Sequence, residues 1–324
     1  MIARACDSDP GRQGRPNEDA CALPAPDVDE TRFGTLLALA DGTGGLPGGG
    51  EASQEAVRYL QSLYYSAPDL DNLPDRLRQS VEQVNALNRL AQRQLGPEMG
   101  HLTTLVAAVI HIDQIWVANV GDSRAYLVKG ASRDLVQLTE DHSNHIRNVK
   151  VGLVSETDLA SRDSGVITRA IGLQDDCQVD IYHYTWTPGD RLVLCSDGLS
   201  HLDPDAMIST TLETLPEKAA QDLVAKAVET DGSDNCSAVV AAWLLPDQAE
   251  MEPNGDGKAS DPARPMPPDA IQEPRTSLPA ESSLPPESKL RPGNRQFLLG
   301  VLVGGFSVGL LAILLIFGRM MNWF

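Results

Sequence analysis

Five places in the chain set a carboxylate beside a small residue where an apolar run ends or begins. They are Glu18 and Asp19 in RPNEDA, Asp41 in LLALADG, Asp122 in VANVGDS, Asp197 in LVLCSDG and Asp234 in GSDNCSAVV. A single Asp-Gly or Asp-Ser step is an ordinary turn; five of them in one chain suggest a shared chemistry. Hard divalent cations take carboxylate, carbonyl and water oxygens, and Mg²⁺ keeps several waters because it dehydrates reluctantly. Acids fixed at strand ends meet that demand, and an adjacent glycine lets a backbone carbonyl approach the ion. Two ions sharing one carboxylate and one water would lower the pKa of that water and offer a nucleophile near neutral pH.

The glycine-rich stretch after Asp41, DGTGGLPGGGEAS, does not fit two other phosphate chemistries. None of its glycines precedes a lysine, so it is not a P-loop. Pro47 stands where a dinucleotide fingerprint starting at Gly42 needs its last glycine. The net charge of -19 and the absence of a basic cluster argue against a nucleic-acid partner and in favour of cations. Cys6, Cys21, Cys177, Cys195 and Cys236 are odd in number and lack C-x-x-C spacing, so neither a disulfide framework nor a zinc site is expected. The segment MIARACDSDPGR has no apolar signal-peptide core, so the first domain is expected to stay where it is made.

The elements that must position these acids are legible in the hydrophobic pattern. TLVAAVIHI, QIWVANVG, RAYLV, RLVLCS and SAVVAAWLL have the length and β-branched content of strands, several of them buried on both faces. Leu77, Val81, Val84, Leu87 and Ala91 recur at helical spacing, and 217–229 reads likewise. Short connections at Asp113-Gln114 and around Gly130 suit antiparallel pairing. The expected fold class is therefore α+β, with antiparallel sheets and helices packed outside them.

Composition divides the chain into a folded region at 1–246, a proline-rich linker without aromatics at 247–295, an uncharged apolar segment at 296–318 and a short tail at 319–324. The linker cannot bury enough apolar surface to offset its ordering entropy and is expected to be disordered. The apolar segment, about 23 residues at 1.5 Å each, would reach ~34 Å as a helix, enough to cross a hydrocarbon core of ~30 Å. Lys289, Arg291 and Arg295 precede it and Arg319 alone follows it, a bias that places the folded region in the cytoplasm as a single-pass protein of the cell (inner) membrane. Gly300 with Gly304, and Gly305 with Gly309, have the spacing of helix-pairing motifs, so a helix-mediated dimer is open.

The ordered series SDPGRQGRPNEDA, LALADGTGG…GEAS, GHLTTLVAAV, VANVGDSRAYLV, LTEDHS, ITRAIG, GDRLVLCSDGLS and DNCSAVV resembles the bacterial members of the metal-dependent PPM (PP2C-type) protein serine/threonine phosphatases. The likeness covers nearly all of residues 1 to 245. It implies a central antiparallel β-sandwich flanked by helical pairs in four αββα layers. It also implies two Mn²⁺ or Mg²⁺ ions with a third, weaker one, and hydrolysis of phosphoserine and phosphothreonine on proteins by a water bridging two metals. By the same resemblance Asp41 would bridge both metals and the Gly42 carbonyl would bind the second. Asp197 and Asp234 would complete the first, Glu18 and Asp19 would hold waters of the second, and Asp122 with Asp197 would bind the third. Residues 144–165 fall where the family has its mobile flap.

Two positions depart from that pattern. Gly14 stands where the family carries its phosphate-gripping arginine; Arg15 is one residue later and Arg12 two earlier, and Arg15 is the expected catalytic, substrate-binding replacement. Thr43 follows Asp41-Gly42 where many relatives carry histidine or methionine, so no general acid is supplied there. His142 is expected to be structural, and Cys195 a small core residue. The leading expectation is thus a membrane-tethered phosphatase acting on cytoplasmic phosphoproteins and opposing Ser/Thr kinases. A weakly active phosphoprotein-binding scaffold domain on the same fold is the alternative.

Overall fold

Strands that are apolar on both faces must be covered on both, and that requirement sets the layering. The computed structural model describes residues 2–43, 47–66, 72–96, 100–144 and 166–245. The linker, the apolar segment 296–318 and residues 145–165 of the expected flap lie outside them. Among the described residues no helix is long and apolar enough to cross a membrane.

One sheet has the order β1 (Ile2–Asp9), β10 (Cys236–Trp243), β9 (Arg191–Cys195), β6 (Arg124–Val128), β7 (Leu135–Gln137). The other runs β2 (Asp19–Ala22), β3 (Thr35–Asp41), β4 (Leu105–His111), β5 (Gln114–Val120), β8 (Asp180–Thr185). Every pairing in both sheets is antiparallel. The two-residue period then sorts each strand between two cores. Leu37 and Leu39 of β3, Val106 and Ala108 of β4, Leu192 and Leu194 of β9 and Val239 of β10 meet between the sheets. Leu36, Ala38, Leu105 and Ala107 face the other way, under α2 (Gly49–Ser66) and α3 (Leu73–Leu95). Val193, Ala238 and Val240 face α4 (Pro204–Glu213) and α5 (Pro216–Thr230). The result is the expected four-layer αββα sandwich.

A short helix α1 (Glu30–Phe33), capped by the Asp29 carboxylate, leads into β3. The α3 stripe departs from the sequence expectation: Leu77, Val81 and Val84 are buried, but the buried line continues through Asn85, Asn88 and Gln92 rather than Leu87 and Ala91. The amides are there to bind backbone. Asn85 donates to the Gln174 carbonyl at 2.9 Å and accepts from the Gly172 N–H at 2.8 Å, and Asn88 donates to the Ala52 carbonyl at 3.2 Å. Asn85, satisfied in this way, fixes the backbone at Gly172 and Gln174 against the helix.

Candidate metal centre

Antiparallel order brings the acids to one end of the sandwich. Asp19 opens β2 and pairs directly across from Asp41, which closes β3. Strand β5 runs parallel to β3 through β4 between them, so its exit, Gly121-Asp122, lies at the same end. In the facing sheet β9 exits into Asp197 where β10 begins after Asp234.

Backbone and side-chain hydrogen bonds lock these ends together. Gly42 N–H donates to the Glu18 carbonyl at 3.1 Å, and Asp41 N–H donates to Thr104 Oγ1 at 2.9 Å. Thr103 Oγ1 donates to the Asp41 carbonyl at 2.8 Å. A Cβ on Gly42 would lie 2.4 Å from the Gly49 carbonyl, so only glycine lets α2 start this close to the end of β3. A Cβ on Gly198 would lie 2.1 Å from the Asn235 carbonyl oxygen, so glycine also lets the Asp197 turn sit against the Asp234 loop.

The acids also act on one another electrostatically. Burial, and then the charges of Asp19, Asp197, Asp122 and Asp234, raise the Asp41 carboxyl well above its ordinary range. Burial, then the charges of Asp197 and Asp234, push Asp19 up to about 6 against two opposing serine hydrogen bonds. Asp122 rises to about 7 through burial and the charges of Asp197 and Asp141. Asp197 rises through burial and Asp234, and Glu18 through burial. Without a cation the site cannot be fully ionised. Asp19 Oδ1 is a buried carboxylate oxygen with no hydrogen-bond partner.

Among the described residues, no three of these groups close on a single point to enclose an ion by themselves. An ion held here would complete its shell with water, as a hard cation readily does. An all-oxygen donor set, an unpartnered buried carboxylate oxygen and mutual repulsion therefore fit divalent Mg²⁺ or Mn²⁺.

Several supporting residues escaped the sequence reading. Ser196 Oγ donates to Asp19 Oδ2 at 2.8 Å and accepts from the Ser237 N–H at 3.0 Å. Ser237 Oγ and Ser8 Oγ are 2.7 Å apart, and Asn17 Nδ2 donates to Ser8 Oγ at 2.7 Å. Asn235 Oδ1 accepts from the Glu18 N–H at 2.9 Å, while its Nδ2 donates to the Pro10 carbonyl at 3.0 Å. The only sequence signal was that Ser196, Asn235 and Ser237 lie within three residues of Asp197 or Asp234.

Arg15 is exposed, and its charge acts on Glu18 at the edge of the site. Arg12 turns away and donates to the Glu229 carbonyl at 3.2 Å, at the end of α5. His142 is structural, as expected. Its Nδ1 accepts from the Gly121 N–H at 3.1 Å, so the proton sits on Nε2, 2.9 Å from Asp180 Oδ2, and the ring is buried. Burial holds its pKa below the ordinary value. Cys195 is a buried core residue under the α4–α5 layer. Thr43 Oγ1 donates to the Leu102 carbonyl at 3.1 Å.

The chain and its fold have close counterparts. The family model described as Protein phosphatase 2C matches residues 11–249. The serine/threonine phosphatase Stp of Listeria monocytogenes is 34% identical over 212 residues, covering 63% of this chain and 83% of the relative. The crystal structure of the Mycobacterium tuberculosis serine/threonine phosphatase PstP/Ppp aligns with a TM-score of 0.65 at 29% identity, covering 75% of this chain and 99% of that one. A structure of the PstP catalytic domain in complex with two manganese ions aligns with a TM-score of 0.63 at 28% identity, covering 75% of this chain and 99% of that one. The chain belongs to the protein phosphatase 2C family. Its activity is that of a serine/threonine phosphatase of the PPM/PP2C type.

Proposed function

We propose that the protein hydrolyses phosphoserine and phosphothreonine on proteins with two divalent cations held by the acids at the end of the sandwich. The observation that carries this reading is the convergence of five acids: burial and the charges of neighbouring acids, Asp234 among them, raise Asp19, Asp41, Asp122 and Asp197 around an unpartnered Asp19 oxygen. Asp41, the Gly42 carbonyl, Asp197 and Asp234 would hold the two ions, with Glu18 and Asp19 reaching them through water. Asp122 with Asp197 would hold a third ion more weakly. Mn²⁺ or Mg²⁺ bound there would supply Lewis acidity, lowering the pKa of a shared water and neutralising charge on the phosphoryl oxygens.

The chain's own side chains do the rest. Arg15 grips the remaining phosphoryl oxygens, for which a planar guanidinium is better shaped than an ammonium. Asn235 fixes the loop that carries it by holding the Pro10 and Pro16 carbonyls at 3.0 and 3.4 Å. Thr43 has no proton to give at neutral pH, and His142 is committed to Gly121 and Asp180. Phosphate release from a phosphothreonine peptide, measured with and without Mn²⁺ after EDTA treatment, tests the reading. Turnover should require the metal and vanish in Asp41→Ala, and substantial metal-free or Asp41→Ala turnover would refute it.

The same proposal includes a tether. Residues 296–318 would cross the cell (inner) membrane once, keep the phosphatase domain in the cytoplasm on the 247–295 linker, and set it against the substrates of Ser/Thr kinases. The two G-x-x-x-G spacings would allow helix pairing.

A further inference from the structure

Five cysteines are free, and two of them, Cys6 and Cys21, pack on the same core from neighbouring strands. Cys6 lies on β1 opposite Val239, and Cys21 on β2 opposite Leu39, and both partner residues face the space between the sheets. Strands β1 and β2 are the edge strands of their respective sheets, on the same side of the sandwich, and they approach with Cα atoms within 8 Å. Both cysteines are half-buried and pack on the inter-sheet core. Cys21 holds the Cys6 thiol below its ordinary range, and Cys6 together with burial holds the Cys21 thiol above its own.

We infer that Cys6 and Cys21 form a reversible oxidation site, a dithiol that closes to a disulfide across the two sheets and so couples redox state to the position of Asp19. The oxidant is a peroxide. The Cys6 thiolate attacks a peroxide oxygen and the O–O bond breaks, leaving a sulfenic acid on Cys6 and hydroxide, which takes up a proton as water. The Cys21 sulfur then attacks the Cys6 sulfur, an S–S bond forms, the S–O bond breaks, and a second water leaves. Two thiols are oxidised and one hydrogen peroxide is reduced to two waters. A thiol with a resolving partner in place is the arrangement that favours disulfide over further oxidation. The other pairing in reach of the site, Cys195 with Cys236, lies under α4 and α5 with both sulfurs buried.

The consequence for the site follows from spacing. Cys21 stands two residues from Asp19 on the same strand, hence on the same face. Asp19 is held from the other sheet by Ser196, so shortening the Cys6–Cys21 separation to a bond pulls on a strand already pinned at its first residue. This coupling rests on the proposed role of Asp19 in metal binding, whereas the oxidation site itself does not.

The test uses the full chain, reduced, exposed to a small excess of hydrogen peroxide, alkylated under denaturing conditions and digested for mass spectrometry. The free-thiol count should fall from five to three, with a Cys6–Cys21 cross-linked peptide that dithiothreitol abolishes. Cys6→Ser should leave Cys21 alkylatable. Recovery of all five thiols, a different cross-link, or separate sulfinic acids on Cys6 and Cys21 would overturn the site. Mn²⁺ affinity by calorimetry should change several-fold on oxidation, return on reduction and stay constant in Cys6→Ser. Unchanged affinity in a fully bridged protein would overturn the coupling.

Discussion

Removing the metal should leave a protein destabilised by its own acids, and replacing Asp41 with asparagine should then stabilise it. In the metal-free fold Asp19 moves from an ordinary 3.8 up to about 6, and Asp41 moves further in the same direction. A carboxyl raised in the folded state keeps a proton that the unfolded chain has lost. Its penalty is absent below the unfolded pKa, sets in as pH rises past it, and is complete above the folded value. For Asp19 alone this amounts to ~3 kcal/mol at neutral pH. The charges of Asp19, Asp197, Asp122 and Asp234 all act on Asp41, and relieving one such charge from the site is worth about 1 to 3 kcal/mol at the effective dielectric of protein interiors. For a domain of this size about 2 to 4 °C of melting temperature accompanies each kcal/mol.

Asp41→Asn in EDTA should therefore melt several degrees above wild type at pH 8, with a gain that shrinks toward pH 5 and vanishes only below the unfolded value of 3.8, where the Asp41 carboxyl is protonated folded and unfolded alike. His142 titrates alike in both proteins and cancels from the difference. Saturating Mn²⁺ should reverse the order, since an ion at 100 times its Kd adds about 2.7 kcal/mol to a protein that binds it. Thermal melts by circular dichroism at the two pH values, with EDTA and with Mn²⁺, read all four arms. If Asp41→Asn melts at or below wild type in EDTA at pH 8, the acids do not repel one another as argued, and the metal reading loses its support.

Three other outcomes are expected. Arg15→Ala should raise KM for phosphopeptides and lower kcat/KM by about 10- to 100-fold, the value of one charge-assisted contact of ~1.5 to 3 kcal/mol, while Arg12→Ala, whose guanidinium serves Glu229, should leave kcat/KM within about two-fold. Ser196→Ala removes the donor at Asp19 Oδ2 and should weaken Mn²⁺ binding by about 10-fold in calorimetry with the fold intact, whereas an unchanged affinity would make the serine merely structural. Residues 1–246 alone should be soluble and active while the full chain sediments with membranes through a high-salt wash, and a full chain found in the soluble fraction would end the tether.

The parts of this molecule that could be read from sequence are those where one residue type had one thing to do. Strands β4, β5, β9 and β10 announce themselves because both faces are buried, so their runs are almost wholly apolar. The acids stand out because each interrupts such a run. Strands β1 and β8 carry no such signal: IARACDSD and DIYHYT are edge strands with polar faces, and DACA is too short to show any period. In α3 the hydrophobic period pointed to Leu87 and Ala91, yet the helix buries Asn88 and Gln92 beside them. No local rule distinguishes an asparagine meant for a distant carbonyl from one meant for water.

The site shows the same division at closer range. Asp19 and Asp41 belong to one sheet, Asp197 and Asp234 to the other, and what joins the two halves is polar contact between residues far apart in the chain. Ser196 reaches back 177 positions to Asp19, and Asn235 reaches back 217 to Glu18. Each of these bonds would be a weak inference from sequence, because serine and asparagine beside a turn are common. In the fold they fix the separation of the sheets where the acids face one another. They also explain why one asparagine bears on both halves of the proposed chemistry. Asn235 adjoins Asp234 in the chain and clasps the loop that presents Arg15, so the acids proposed to hold metal and the arginine proposed to grip phosphate are tied together by a single side chain. The one-residue shift proposed for that arginine is then tolerable: the clasp acts on the Pro10 and Pro16 carbonyls on either side of it, and a Cβ on Gly14 would meet nothing within 4 Å.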